Sequence, residues 1–297
     1  MKFAAIDIGS NAVRLLLSKV DSEGIEPVYE KVSFIRMPIR LGEDAFIHNN
    51  IPPEKVSRLL KTMMGFKYLM DAYEPLDYMA CATSAMREAD NSDEIVAKIK
   101  EKSGIDLNVI SGRKEAKIIY SNRIEKIIGN GNSTYLHIDV GGGSTEIILF
   151  KGKKVFAYRS FNIGTIRMLE GIVTKDDWNE MKKWVKKVTN EHKPDYAIGS
   201  GGNINKLYRM SGRKDGTLLM RKDIKELKKY LKGFTLEQRI TKLGLRPDRA
   251  DVIVPASRIY HSVMKWSDIG YMHVPKLGLA EGIVHVLYKK HMDNYIN

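Results

Sequence analysis

Leu136–Phe150 reads LHIDVGGGSTEIILF. An apolar run ends in one acid, Asp139; three consecutive glycines, Gly141, Gly142 and Gly143, turn the chain; Ser144 and Thr145 follow, and Glu146 opens a second apolar run. Consecutive glycines give up much conformational freedom on folding and are kept where backbone must approach something closely. Their amides can converge on an anion as a nest, and carboxylates on either side of the turn suit a hard cation held against that anion. The bland alternative is a glycine-rich hairpin loop with solvated acids, and a near copy elsewhere in the chain argues against it.

A near copy of it lies at the other end of the chain. Ala4–Asn11 reads AAIDIGSN, so Asp7 aligns with Asp139 and Ile-Asp-Ile-Gly-Ser with Ile-Asp-Val-Gly-Gly. In both, a short apolar run, an acid, a glycine turn and a second apolar run (Val13, Leu15 and Leu17; Ile147 and Leu149) predict a hairpin. An internal duplication predicts two related lobes. Two lobes that each offer an Asp and an amide-rich turn make a phosphate and metal clamp, the layout of the actin, hexokinase and Hsp70 superfamily.

Between and after the copies, strand and helix patterns alternate, which predicts an α/β class. Pro52 and Pro53 open a helix with Val56, Leu59, Leu60, Met63, Phe66 and Met70 at helical spacing. Tyr78–Ala82 reads as a buried strand followed by a polar turn, Thr83 to Arg87, and Leu107–Ile110 as another strand before a helix with Ala116, Ile119, Tyr120 and Ile124 inward. The polar spacer Asn130–Ser133 is taken as the boundary between domains 1–130 and 131–297. The second half repeats the plan. A strand from Val155, a turn at Asn162–Thr165, a Lys-rich helix over Lys175–Lys193 and a strand at Tyr196–Ile198 precede a further glycine loop, Gly199–Asn203.

The chain has 297 residues, 43% hydrophobic and 29% charged, which suits two globular domains without a membrane span. One cysteine, Cys81, excludes an internal disulfide and a Cys-based zinc site and fits a reducing, cytoplasmic setting. MKFAAIDIGS carries an acid at position 7 and reads as a first strand rather than a leader. The net charge of +13 favours a polyanionic partner. No nucleic-acid module is visible, so no specific nucleic-acid partner is expected. The histidines show no ligand spacing; His137, beside Asp139, reads as a packed or hydrogen-bonded structural residue.

Taken in order, AIDIGSN (5–11), ATSAMR (82–87), ISGRKEAKIIY (110–120), IDVGGGSTE (138–146), NIGTIR (162–167), GSGGN (199–203), RADVIVPA (249–256) and GLAEG (278–282) resemble the exopolyphosphatase and guanosine pentaphosphate phosphatase family. The resemblance implies two related actin-like (ribonuclease H-like) lobes, mixed sheets flanked by helices, with the active site in the interlobe cleft. It implies hydrolytic removal of a terminal phosphate with Mg²⁺, from polyphosphate or a (p)ppGpp-type substrate. By position, Glu115 matches the glutamate that activates water and Arg87 a phosphate-binding arginine. Asp139 and Glu146, with Asp7, match the metal-holding acids. Ser10, Asn11, Thr83, Ser84, Gly141, Gly142, Gly143, Ser144, Gly201 and Gly202 would cradle phosphates. A homodimer is expected by analogy alone.

Three departures stand out. Lys114 occupies a position where the family often has a second glutamate, Ala280 replaces an arginine, and the chain resembles short members without an extra C-terminal helical domain. Two other classes compete: a sugar or acetate kinase of the same superfamily, and a non-catalytic polyphosphate or alarmone sensor, to which Lys114 and Ala280 lend support. A kinase needs an adenosine site and a sugar-activating aspartate, and a sensor would bind without releasing phosphate.

Overall fold

The computed structural model describes residues 1–24, 26–121, 133–152, 154–275 and 277–296. The chain divides into two compact units, Met1–Asn122 with Gly278–Asn297, and Arg123–Leu277.

The first unit is built on a mixed sheet of order β3-β2-β1-β4-β5. Its strands are β1 (Lys2–Ile8), β2 (Val13–Asp21), β3 (Val28–Met37), β4 (Asp77–Ala82) and β5 (Leu107–Val109). β1 is the central strand: every residue after Lys2 is buried, because it is covered on both faces. β1, β2 and β3 form an antiparallel meander, while β4 runs parallel to β1. Helices α1 (Gly42–His48), α2 (Pro53–Tyr73), α3 (Ser84–Glu88), α4 (Ser92–Ser103) and α5 (Gly112–Tyr120) connect them. In α2, Pro53 stands at the first helical position, where a missing N–H costs nothing, and Val56, Leu59, Met63, Phe66 and Met70 are buried at the predicted spacing. The expected polar turn at Thr83–Arg87 is instead the short helix α3, with Thr83 at the position before its first residue and its hydroxyl turned to Ile8 O.

The second unit repeats the plan. Its strands are β6 (Thr134–Val140), β7 (Thr145–Lys151), β8 (Lys154–Phe161), β9 (Tyr196–Ser200), β10 (Leu219–Met220) and β11 (Tyr271–His273), in the order β10-β11-β9-β6-β7-β8. Again an antiparallel meander, β6-β7-β8, is extended by a parallel neighbour, β9. Helices α6 (Thr165–Leu169), α7 (Lys175–His192), α8 (Gly202–Met210), α9 (Arg221–Lys232), α10 (Leu236–Thr241), α11 (Pro247–Ala250) and α12 (Ile253–Trp266) complete it. Leu136, Ile138 and Val140 alternate on β6 toward the core shared with α7, α8 and α12.

The last helix, α13 (Leu279–Ile296), corrects the expected domain division. It belongs with the first unit, because Leu279, Ile283, Val284 and Leu287 pack with Phe3, Ala5, Leu16 and Cys81. Gly282 permits this: a Cβ there would lie 2.1 Å from the Ile118 carbonyl oxygen. Ser121 Oγ donates to Gly282 O at 3.0 Å, and Asp77 receives Lys290 Nζ at 2.9 Å. Ala280 is buried in this apolar cluster, so the residue replacing the family's arginine is packed as core. The boundary expected at Asn130–Ser133 lies, but for Ser133, outside the described residues, as does Ile124.

Candidate active site

Each sheet ends its central strand in an acid and a turn, and the turn is held by its carbonyls. In the second unit, Thr165 N donates to Gly141 O at 3.0 Å and Ile166 N to Gly142 O at 2.9 Å. Arg167 Nε reaches Gly143 O at 2.9 Å. The start of α6 thus takes up the loop's acceptors. Among the described residues, the amides of Gly142, Gly143 and Ser144 donate to no protein group. That is the condition of an anion nest. Gly164 makes the docking possible: a Cβ there would come within 2.2 Å of Gly142 O.

The first unit does the same with different residues. Gly42 N donates to Ser10 O at 2.9 Å and Arg40 N to Asn11 O at 3.2 Å. Thr83 N donates to Ile8 O at 3.0 Å, and the hydroxyls of Ser10 and Ser84 lie 2.8 Å apart. Ser10, Thr83 and Ser84 are therefore brought together, with Asn11 in the same turn.

The two copies differ in what faces the acid. On β1 and β2, Asp7 is paired in register with Arg14 and forms an ion pair with it. On β6 and β7 the equivalent partner of Asp139 is Glu146. One copy neutralises its carboxylate with a guanidinium; the other doubles the negative charge. Glu146 is buried, and its Oε1 accepts Ser144 Oγ at 2.6 Å and Ser160 Oγ at 2.8 Å. The Ser144 hydroxyl is thus committed to Glu146. Among the described residues no three of His, Cys, Asp or Glu converge. Two carboxylates with hydroxyls beside a nest nonetheless fit Mg²⁺, an ion bound through one or two carboxylates, waters and substrate phosphates.

The glycine loop after β9 borders the same acid. Ser200 pairs with Asp139, and Gly201 has φ +96°, its Cβ position 3.0 Å from Asp139 Oδ1. Tyr260 OH donates to Ser200 O at 2.6 Å and fixes the strand end. Burial, then the Asp139 charge, hold the Tyr260 hydroxyl well above its usual pKa, so it remains a donor. At Gly202 a Cβ would meet the Arg249 guanidinium at 2.7 Å, and Arg249 Nη1 donates to Asn203 Oδ1 at 3.0 Å. Arg14, Ser160, Arg249 and Tyr260 are site residues that sequence reasoning missed. Arg249 alone carried a signal, since it opens the segment RADVIVPA.

Arg87 and Glu115 meet in the first unit. Arg87 leaves α3 and donates from Nη1 to Ile110 O at 2.7 Å and to Glu115 Oε2 at 3.1 Å. Ser111 caps α5, its hydroxyl accepting Lys114 N at 3.3 Å, which sets Glu115 in the first turn. The Glu115 side chain is 13% exposed and that of Arg87 23%, so water reaches a pair that is otherwise enclosed. Cys81 behind them is inert: burial, then the charges of Asp7 and Glu115, push its thiol up to about 12.

His137, on β6 of the second unit between Ile148 and Ile198, is fully buried. Desolvation lowers its pKa to about 4, and neither ring nitrogen has a hydrogen-bond partner among the described residues. It is packed, as expected, but not hydrogen-bonded.

Two mixed sheets with flanking helices, each with an acid-and-glycine turn at the end of its central strand, define an actin-like two-lobe fold. The chain belongs to the Ppx/GppA phosphatase family, whose model matches residues 19–291. It is similar to an exopolyphosphatase from Cytophaga hutchinsonii of known crystal structure (TM-score 0.85, 25% identity, 98% of each chain). It is 24% identical over 305 residues to exopolyphosphatase 1 of Mycobacterium tuberculosis, covering 96% of this chain and 87% of that one. It is also 31% identical over 199 residues to the bifunctional 3-dehydroquinate synthase/phosphatase of Fusobacterium nucleatum. That match covers 63% of this chain and spans only 30% of that protein's length. Among the described residues no helix is long and apolar enough to cross a membrane.

Proposed function

We propose that the chain is an exopolyphosphatase, releasing the terminal phosphate of inorganic polyphosphate by attack of water. The pairing of Arg87 with Glu115 carries this reading, because a phosphatase of this kind needs one carboxylate held where it can take a proton from water. The net charge of +13 supports a polymeric anion as substrate.

Glu115 accepts the proton of the attacking water as the new oxygen–phosphorus bond forms. The anhydride bond breaks, and the shortened chain leaves with the electron pair on its oxygen. Arg87 orients Glu115 and supplies positive charge for phosphate oxygens. The amides of Gly142, Gly143 and Ser144 are donors for phosphate oxygens, and the turn at Ser10 and Asn11 is a separate candidate for the same role in its own unit. Asp139 and Glu146 would hold Mg²⁺, directly or through water; when bound, the ion neutralises phosphate charge. Asp7, compensated by Arg14, contributes less to metal binding than these two.

The test is phosphate release from polyphosphate, with Mg²⁺ and with EDTA, for the wild type and Glu115→Gln. Steady release that needs Mg²⁺ and drops by about a hundredfold or more in the variant is expected. Release unaffected by the substitution removes Glu115 as the base. If polyphosphate is untouched and guanosine pentaphosphate is hydrolysed, the substrate assignment moves to the nucleotide. Tight binding without release of either leaves a sensor.

A further inference from the structure

The basic residues of the second unit are not spread evenly. On α9, Arg221, Lys225, Lys228 and Lys232 recur at i, i+4, i+7 and i+11, so they form one row along the helix. Antiparallel to it, α12 presents Arg258, His261 and Lys265 at i, i+3 and i+7. The two helices share a core through Ile224, Leu231, Val263 and Met264. Arg221 Nη1 reaches Met264 O at 3.4 Å, which ties the start of α9 to the end of α12.

The charges act on one another across this seam. Burial and then Lys232, Arg258, Lys225 and Lys265 lower the pKa of Lys228. His261 is pushed down to about 4, by burial and then by Lys228, Arg221, Lys265 and Lys225, and is neutral at pH 7. Among the described residues, Lys225, Lys228, Lys232 and Lys265 form no ion pair, and Arg258 is occupied by a cation–π contact, 4.7 Å from the Trp178 ring. Asp268, 3.4 Å from Arg221, is an acid at one end of the cluster and is 96% exposed. Six cations held together with one exposed acid at the end of the row repel one another, a repulsion that a bound anion relieves.

We propose that this seam between α9 and α12 is an exosite for the distal part of a linear polyphosphate chain. The proposal rests on the polyphosphate reading given above. The row on α9 spans roughly 16 Å at the helical rise, enough to follow several consecutive phosphates of an extended chain. A nucleic acid is the poorer fit, since bases need aromatic platforms beside the cations. Tyr230 lies on the opposite side of α9 from the row and packs on Phe234, and Trp178 is taken by Arg258 and Trp266.

The experiment measures binding to the intact chain in EDTA, where the reading above forbids turnover, using long-chain sodium polyphosphate, tripolyphosphate and an RNA of matched charge. The variant is the triple substitution Lys225→Glu, Lys228→Glu and Lys265→Glu, with the corresponding glutamine triple as a milder second. Expected is a loss of about tenfold or more in affinity for the long chain, with a shallower salt dependence and unchanged tripolyphosphate binding. Unchanged long-chain affinity overturns the exosite, as does an equal loss for tripolyphosphate or equal wild-type affinity for the RNA. Wild-type protein that binds the polymer in this pattern but never releases phosphate sinks the hydrolase reading and leaves the exosite standing.

Discussion

Arg87 Nη1 and Glu115 Oε2 lie 3.1 Å apart, joining α3 to the first turn of α5 across 28 residues of sequence. The same nitrogen also donates to Ile110 O at 2.7 Å, so the guanidinium is braced by backbone while it holds the carboxylate. Lysine cannot reproduce two directed bonds from one planar group. Arg87→Lys is expected to lower kcat for phosphate release at least about tenfold with little loss of stability. Arg87→Ala additionally removes the Arg87 charge and hydrogen bond from Glu115 and costs about 1–3 kcal/mol, read by urea unfolding. Wild-type turnover in Arg87→Lys would separate this pair from the chemistry.

Glu146 is a buried acid with two hydroxyls on one oxygen. If it helps to hold Mg²⁺, Glu146→Gln raises the Mg²⁺ concentration needed for half-maximal phosphate release by about tenfold or more. Ser160→Ala removes one of the two hydroxyls and shifts the same midpoint by less. A metal titration that is identical in all three proteins contradicts the assignment of Glu146 as a ligand.

Two glycines make opposite predictions. At Gly164 a Cβ would sit 2.2 Å from Gly142 O, so Gly164→Ala must push α6 off the loop. It is expected to destabilise by about 2 kcal/mol or more and to weaken phosphate binding, because the loop's carbonyls and amides move together. Gly65, exposed inside α2, would meet nothing within 4 Å. Gly65→Ala is expected to stabilise by about 0.5–1 kcal/mol through helix propensity. Melting curves of the two variants shifting in the same direction would contradict this.

The features written in local pattern were the ones legible in advance. Both hairpins, the acid-glycine turns and the apolar stripe of α2 depend on spacing within one element, and each appears where its pattern put it. What could not be read depends on contacts between elements. Leu279, Ile283, Val284 and Leu287 of α13 are apolar, but nothing local says that they meet β1 rather than the sheet beside them in the chain. Likewise Arg14 looks like an ordinary strand residue until register sets it against Asp7, and Tyr260 like a core aromatic until its hydroxyl reaches Ser200. The resemblance identified Glu115 and Arg87 as separate motif positions; their hydrogen bond is a fact of the fold.

His137 makes the fold sensitive to acid. Buried without a described hydrogen-bond partner, it titrates near 4 in the folded chain against about 6.5 when unfolded. Between those values the unfolded state binds the extra proton, so stability is complete above about pH 6.5 and declines as pH falls toward 4. At pH 5 the loss from this one group is roughly 2 kcal/mol. An apolar side chain of similar volume removes the titration and leaves no new orphaned partner, because the imidazole nitrogens had none among the described residues. His137→Leu is therefore expected to match wild type within about 1 kcal/mol at pH 7.5 and to be the more stable protein at pH 5. Urea unfolding at the two pH values checks this. A variant that loses stability in parallel with wild type on acidification would place the acid sensitivity elsewhere, and one strongly destabilised at pH 7.5 would mean that the imidazole makes a polar contact.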